Sequence, residues 1–268
     1  MIVAVDTGGT KTLVAVFNTD GKVVAEQKFP TPTDLTQYLS QLKDTVDTLT
    51  SDQDITCLSV ALPGTIVDGH MIWAGNLGWE DVDIRALLSD HYECPIIVEN
   101  DANLAGLAET RALEHIPRVC LYITVSTGVG TGIITNGRID PNFSTNEGGQ
   151  IVLEHEGTFQ RWESFASGKA IHEKYGKLAS EIDDPAVWHE IGMNVARGLL
   201  ATSALIRPDI VVIGGGVGTH FDKFKAPLLE TLTTNTKDKY VPLIIRAAHP
   251  EEAVVYGCYY HALDTLAD

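Results

Sequence analysis

Three glycine clusters, each at the end of an apolar run, constrain what this chain can fold into. Asp6-Thr7-Gly8-Gly9-Thr10-Lys11-Thr12 separates the apolar runs 2–5 and 12–17. Ser126-Thr127-Gly128-Val129-Gly130-Thr131-Gly132 lies between 121–125 and 133–135, and Gly214-Gly215-Gly216-Val217-Gly218 follows the run 209–213 and precedes a helical stretch. Short apolar runs bounded by glycine read as strands. Glycine, lacking Cβ, lets backbone N–H groups close on a phosphate chain. The third cluster sits at a strand's carboxyl end, where ligands bind in open α/β sheets. Each cluster also has a reading as a tight structural turn. The first joins strand to strand, so it is not a P-loop, whose lysine opens a helix. Together, the first two read as a clamp for one triphosphate.

The pattern around the clusters is α/β and occurs twice. Residues 2–5, 12–17 and 22–29 read as a three-stranded meander with a turn at 18–21, and Leu35, Tyr38, Leu39, Leu42, Val46 and Leu49 recur at helical spacing. Strand-like runs follow at 55–62 and 95–98. The pattern restarts with strands at 119–125 and 131–135, a long helix at 186–206, a strand at 210–213 and a helix after Gly218. No linker rich in Pro, Gly or Ser and no sequence repeat intervenes. The expected division is a first lobe, 1–101, on which a C-terminal helix at 253–268 packs back, and a second lobe, 102–252.

With 268 residues and 44% hydrophobic composition the chain can bury a sizeable core. Its formal charge of -17 opposes attraction to nucleic acid and to anionic lipid. No run approaches the roughly 20 apolar residues of a membrane-spanning helix, and the opening residues lack the basic and long apolar regions of a secretory signal. The expected location is cytoplasmic, with no nucleic-acid or membrane partner. Cys57, Cys94, Cys120 and Cys258 are too widely spaced for paired metal ligands and read as free thiols in a reducing compartment.

Glu99-Asn100-Asp101-Ala102-Asn103 stands at the expected boundary, after the strand 95–98 and before a helix starting at Ala102. Asp101 there reads either as a helix cap or as a carboxylate that accepts a hydroxyl proton during phosphoryl transfer. Taken in order, these segments resemble the ROK family of sugar kinases over nearly the whole chain. The resemblance rests on 6–12, Pro63-Gly64, Asn76-Leu77-Gly78-Trp79, 99–103, 127–130, Ser167-Gly168-Lys169-Ala170 and 214–216. It implies an α/β, two-lobed, actin-like ATPase (ribonuclease H-like) fold with an interlobe cleft, in which ATP and a sugar meet. It implies Asp101 as the catalytic base. It implies ATP contacts from Asp6, Gly8, Gly9, Thr10, Lys11, Thr12, Thr127, Gly128, Gly130, Gly215 and Gly216. Sugar contacts would come from Gly64, Asn76, Asn100, Asp101, Glu147, Gln150 and Glu163, and Asp6 would help hold Mg²⁺. Relatives are often dimers, so a homodimer is the implied assembly.

One departure is specific. The family follows its second phosphate loop with Gly-Glu-x-Gly-His and a Cys-x-Cys-Gly-x-x-Gly-Cys zinc site, whereas here Asn146-Glu147-Gly148-Gly149-Gln150 leads into 151–163 without a cysteine. Gln150 can bond a hydroxyl but is a poor zinc ligand, and His155 and His172 lack a third ligand in register. No structural zinc is expected, and packing by Phe159, Trp162 and Phe165 is expected to order the segment instead. The cysteine-free segment is similar to that of polyphosphate-using glucokinases, which keep the histidine, but the negative charge favours ATP as donor. Glucose, yielding glucose 6-phosphate, is the expected acceptor; fructose, mannose, allose, N-acetylglucosamine and N-acetylmannosamine are alternatives. Two other readings are a catalytically silent sugar-binding protein, which Gln150 favours and Asp101 opposes, and a DNA-binding regulator. The latter would carry a helix-turn-helix ahead of the first cluster, which here begins at residue 6.

Overall fold

The computed structural model describes residues 1–51, 53–74, 77–237, 240–249 and 252–267. Its first sheet grows from the opening of the sequence. β1 (Ile2–Thr7) and β2 (Lys11–Phe17) form a hairpin with Thr7 opposite Thr12, and β3 (Val23–Pro30) extends the meander. α1 (Leu35–Thr50) starts at Asp34, whose carboxylate accepts from Gln37 N at 2.9 Å and satisfies one orphan donor of the first turn. β4 (Cys57–Leu62) then pairs in parallel with β1. A separate three-stranded antiparallel sheet follows, made of β5 (Thr65–Val67), β6 (His70–Ala74) and β7 (Trp79–Asp83), and leads through α2 (Ile84–Ser89) to β8 (Ile96–Asn100). β8 pairs with β4, giving the order β3-β2-β1-β4-β8.

Both faces of this sheet are covered. Tyr38, Leu42 and Val46 of α1 pack with Val3, Val5 and Val14 on one face. On the other, the C-terminal helix sets Val255, Cys258 and Tyr259 against Ile2, Ala4 and Phe17, with the Tyr259 and Phe17 rings stacked at 4.8 Å. A strand buried on both sides needs apolar residues at successive positions, which is why 2–5 is an unbroken run. Each fully buried valine there contributes about 1.5–3 kcal/mol.

α3 (Asp101–Arg111) leads on to the second sheet. β9 (Val119–Val125) and β10 (Val129–Thr135) form a hairpin, and β11 (Arg138–Ile139) is a two-residue strand. A 3-10 turn at Gly148–Gln150 precedes the hairpin β12 (Val152–His155) and β13 (Thr158–Arg161). α4 (Glu163–Ala166), α5 (Gly168–Tyr175) and the long α6 (Pro185–Ile206) follow. α6 opens with the side chain of Asp184 as cap and Pro185 in the first turn, the pairing that starts helices most readily. β14 (Ile210–Gly214) pairs in parallel with β9; α7 (Gly215–Gly218) and α8 (Phe221–Asn235) lead to β15 (Leu243–Arg246), parallel to β14, and α9 (Ala253–Ala267) ends the chain. The core here joins Leu121, Ile123, Val211 and Ile213 of the sheet to Val195 and Leu199 of α6 and Phe224 and Leu228 of α8.

Contacts divide the chain into two units. The first comprises Met1–Ala108, Arg138–Thr145 and Glu251–Asp268; the second comprises Glu109–Gly137 and Asn146–Pro250. The sequence reading set the change at 101/102, whereas by contacts 102–108 and 138–145 also belong with the first sheet. All four cysteines are free; Cys57, Cys120 and Cys258 are buried and Cys94 is half-buried. Among the described residues no helix is long and apolar enough to cross a membrane.

Candidate active site

In the first unit, parallel pairing brings several of the expected residues to one end of the sheet. Asp6 lies opposite Ala61, and Leu62 opposite Asn100, at the carboxyl ends of β1, β4 and β8. Asn100 is the keystone. Its Oδ1 accepts from Ala102 N at 2.8 Å and Asn103 N at 3.1 Å, and its Nδ2 donates to Gly64 O at 2.9 Å. The cap of α3 is therefore Asn100, and Asp101 is the helix's first residue. The sequence had offered the cap to Asp101 because the helix was expected to start one residue later. Asp101 Oδ1 accepts from Ala102 N at 2.8 Å. Gly64 has φ of 90°, and a Cβ there would stand 2.1 Å from Trp73 O, so both backbone shape and space demand glycine.

Glu99 braces this corner. Its Oε1 accepts from Asn100 N at 2.7 Å and Asn103 Nδ2 at 2.9 Å, and burial raises its carboxyl above the usual range against the pull of those two donors. Asn103 Nδ2 also donates to Ser144 O at 2.7 Å. Asn76 lies outside the described residues.

The first glycine cluster is the β1–β2 turn. Gly8 N donates to Lys11 O at 3.0 Å, Thr31 Oγ1 donates to Gly8 O at 2.8 Å, and Gly9, Thr10 and Lys11 are exposed. Thr12 differs from expectation: it is buried and its hydroxyl shares a 2.9 Å hydrogen bond with that of Thr31, so it braces the turn from behind. Burial pushes the Asp6 carboxyl up to about 6, with Lys11 and Lys28 opposing the rise. A desolvated carboxylate of this kind gains from a cation beside it.

The second unit brings the other two clusters together. Ser126–Gly128 is the β9–β10 turn, closed by Ser126 N donating to Gly128 O at 2.9 Å. Gly130 is a strand residue of β10 opposite Thr124. Gly215, φ 80°, fits against Val125 O, which an added Cβ would approach to 2.5 Å, while Gly216 faces open space. The head of α5 completes this floor, with Gly168 N donating to Ser126 O at 2.6 Å. Above it opens a cleft of about 590 Å³, lined by Ser126, Thr127 and Gly216 together with the apolar Leu178, Ala179 and Val217. Lys169, His172 and His220 also line it. Burial and the neighbouring Lys223 lower the His220 pKa, which favours the neutral ring. Of the lining residues, Leu178, Ala179 and His220 did not stand out in the sequence, since they lie between motifs and carry no spacing signal.

The expected acceptor residues of the second unit also meet. Gln150 Nε2 donates to Glu163 Oε1 at 2.7 Å, and Gln150 N donates to Glu147 O at 3.0 Å. The turn carrying Gln150 is seated by glycine: a Cβ at Gly149 would stand 2.0 Å from Val129 O. Thr131 Oγ1 accepts from Gly148 N at 3.0 Å and donates to Asn146 Oδ1.

The segment expected to pack through three aromatic residues does so through two. Trp162 is fully buried, with Nε1 donating to Asn194 O at 3.0 Å, and Phe165 is buried with His155 stacked on it at 4.1 Å. Phe159 is 82% exposed, because its register opposite Glu154 turns it to the outer face of the hairpin. Among the described residues no three His, Cys, Asp or Glu side chains form a metal-ligand group.

The family model described as the ROK family matches residues 2–264. A putative fructokinase of Bacillus subtilis (strain 168) is 29% identical over 243 residues, covering 81% of this chain and 77% of the relative. An N-acetylmannosamine kinase of Escherichia coli (strain SE11) is 30% identical over 242 residues, 80% of this chain and 82% of the relative. Among solved structures, a ROK family glucokinase from Streptomyces griseus in complex with glucose and AMPPNP superposes with a TM-score of 0.82 at 20% identity, covering 98% of this chain and 99% of that one. That likeness shows the fold, the two-domain actin-like ATPase architecture.

Proposed function

The chain belongs to the ROK family and is an ATP-dependent sugar kinase, and we propose that glucose is its acceptor, converted to glucose 6-phosphate. The observation that carries the mechanism is the corner at Asn100 and Asp101. Asn100 caps α3 and bonds Gly64, which fixes Asp101 at the carboxyl end of the parallel strands. There Asp101 accepts the proton of the hydroxymethyl group as that oxygen attacks the γ-phosphorus. The bond from the γ-phosphorus to the bridging oxygen breaks and ADP departs. Base assistance of this kind accounts for about 10²–10⁴-fold in rate.

Glu163 and Glu147 suit the acceptor because a carboxylate accepts hydrogen bonds from hydroxyls, and Gln150 holds one Glu163 oxygen in place. For the donor, the apolar side chains of Leu178 and Ala179 in the cleft lining support ATP over polyphosphate: they offer a seat for a nucleoside that a phosphate chain has no use for. Gly8, Gly9, Thr10, Lys11, Thr127, Gly128, Gly215 and Gly216 are assigned to phosphate. Asp6 fits Mg²⁺, which takes one or two carboxylates and completes its shell with phosphate oxygens and water. Bound there, Mg²⁺ would neutralise charge on the phosphates.

Fructose and N-acetylmannosamine come next as acceptors, because relatives covering about four fifths of the chain bear those names. The test is an ADP-release assay with ATP across hexoses and N-acetylhexosamines, using the wild type and Asp101→Asn. Glucose is expected to give the highest kcat/KM and the variant to lose turnover on every sugar. A higher kcat/KM on another sugar would replace glucose in this reading, and undiminished turnover by Asp101→Asn would remove the base.

A further inference from the structure

Four tryptophans occur in the chain, and one is unlike the rest. Trp79, Trp162 and Trp188 are buried, and their indole N–H groups donate to Thr33 O at 2.8 Å, Asn194 O at 3.0 Å and Ile182 O at 3.0 Å. Trp73 is 44% exposed, and its indole N–H has no partner among the described residues. The exposed part of its ring and its N–H are therefore open to a ligand.

That position adjoins the acceptor corner. Trp73 pairs with Thr65 on one side and with the exposed Glu80 on the other. A bulge between Thr65 and Ile66 sits beside it, a device that re-aims side chains next to active sites. The inward residues Ile66, Met71 and Ala74 belong to the core, while Ile72 and Trp73 both face outward. The backbone of Trp73 abuts Gly64, and Gly64 O accepts from Asn100 Nδ2, the residue before Asp101. One backbone contact and one hydrogen bond connect the backbone of Trp73 to the acceptor residues.

We propose that Trp73 is a recognition residue for the acceptor, an aromatic platform for the C–H face of a sugar ring, with Glu80 beside it to accept from a ring hydroxyl. A sugar presents apolar C–H faces and a polar hydroxyl rim. The indole supplies a flat apolar face and a spare N–H donor, and the carboxylate supplies acceptors. This inference rests on the sugar-kinase reading and assigns part of the chain's choice of acceptor to the three-stranded sheet.

The experiment compares wild type, Trp73→Ala and Trp73→Phe by steady-state kinetics on glucose, fructose and N-acetylmannosamine, and by tryptophan emission during sugar titration. On the sugar that wild type prefers, Trp73→Ala is expected to raise KM about tenfold, the scale of one lost aromatic contact, with kcat and the KM for ATP unchanged. Trp73→Phe, which keeps an aromatic face, is expected to restore most of the loss. The sugar-dependent emission change of wild type is expected to vanish in Trp73→Phe, because the remaining tryptophans are buried. An unchanged sugar KM in Trp73→Ala would overturn the platform and leave the kinase reading standing. If wild type turns over no sugar, the kinase reading falls and emission alone decides: a sugar-dependent change lost in Trp73→Phe supports the platform, and no change with any sugar overturns it.

Discussion

Gln150 donates from Nε2 to Glu163 Oε1 at 2.7 Å, joining the 3-10 turn at 148–150 to the head of α4. The amide thus does what an imidazole N–H would do for the same carboxylate, without a titrating group. A hydrogen bond to a charged group is worth about 1.5–3 kcal/mol. Gln150→Leu is therefore expected to raise the sugar KM about tenfold or more, while the KM for ATP moves little. Gln150→Glu, which sets two carboxylates in contact, should be the more damaging change. Initial-rate kinetics with each substrate varied in turn would check both.

Because Asn100 and not Asp101 caps α3, the two residues should separate cleanly under mutation. Asp101→Asn is expected to lower kcat about 10²–10⁴-fold with the midpoint of thermal unfolding nearly unchanged. Asn100→Ala removes the cap and the bond to Gly64, at a cost of about 1–2 kcal/mol in stability. Comparing kcat with the thermal midpoint in both variants tests the division.

Asp6 makes stability and activity oppose each other. Its carboxyl ionises at an ordinary value of 3.8 when unfolded and at about 6 when folded. Between those values the unfolded chain binds fewer protons, so this group lowers stability as pH rises, and the full cost is present above about pH 6. Two units correspond to roughly 3 kcal/mol. Asp6→Asn is expected to raise the thermal midpoint at pH 7.5, to give no gain at pH 3.5, and to impair turnover. Added Mg²⁺ with nucleotide should stabilise wild type and not the variant.

Gly198 faces the buried ring of Trp162 so closely that an added Cβ would stand 2.0 Å from Cδ2 and Cε2. The ring cannot retreat, since it is fully buried and its N–H is bonded to Asn194 O. Gly198→Ala is expected to cost at least about 1–3 kcal/mol by overpacking. Trp162 directly precedes Glu163, so the sugar KM should rise alongside the fall in thermal midpoint.

Much of this was readable before the structure. The unbroken run at 2–5 announced a strand covered on both faces, and Asp184-Pro185 marks the head of α6. The glycine clusters stood at the strand ends where the sheets place them. Three hairpin turns were missed although their dipeptides were visible. Asp68-Gly69, Asn136-Gly137 and Glu156-Gly157 all have positive φ at both residues, the geometry that two-residue hairpin turns require. Reading Glu156-Gly157 would also have corrected Phe159. Once that turn sets the pairing, Phe159 falls opposite Glu154 on the outside, and a slip of one residue reverses every face. The cleft residues Leu178, Ala179 and His220 were out of reach, because distant segments meet there only after α5 packs on the second-sheet floor.

A Cβ on Gly128 would stand 3.0 Å from Glu163 Oε2. The turn assigned to the donor and the carboxylate assigned to the acceptor therefore lie side by side and share one boundary. Whatever factor a bound sugar adds to nucleotide affinity, the nucleotide must return to the sugar, because linkage is reciprocal. Synergistic substrate binding and a low rate of futile ATP cleavage without acceptor are the expected signatures of such a shared boundary.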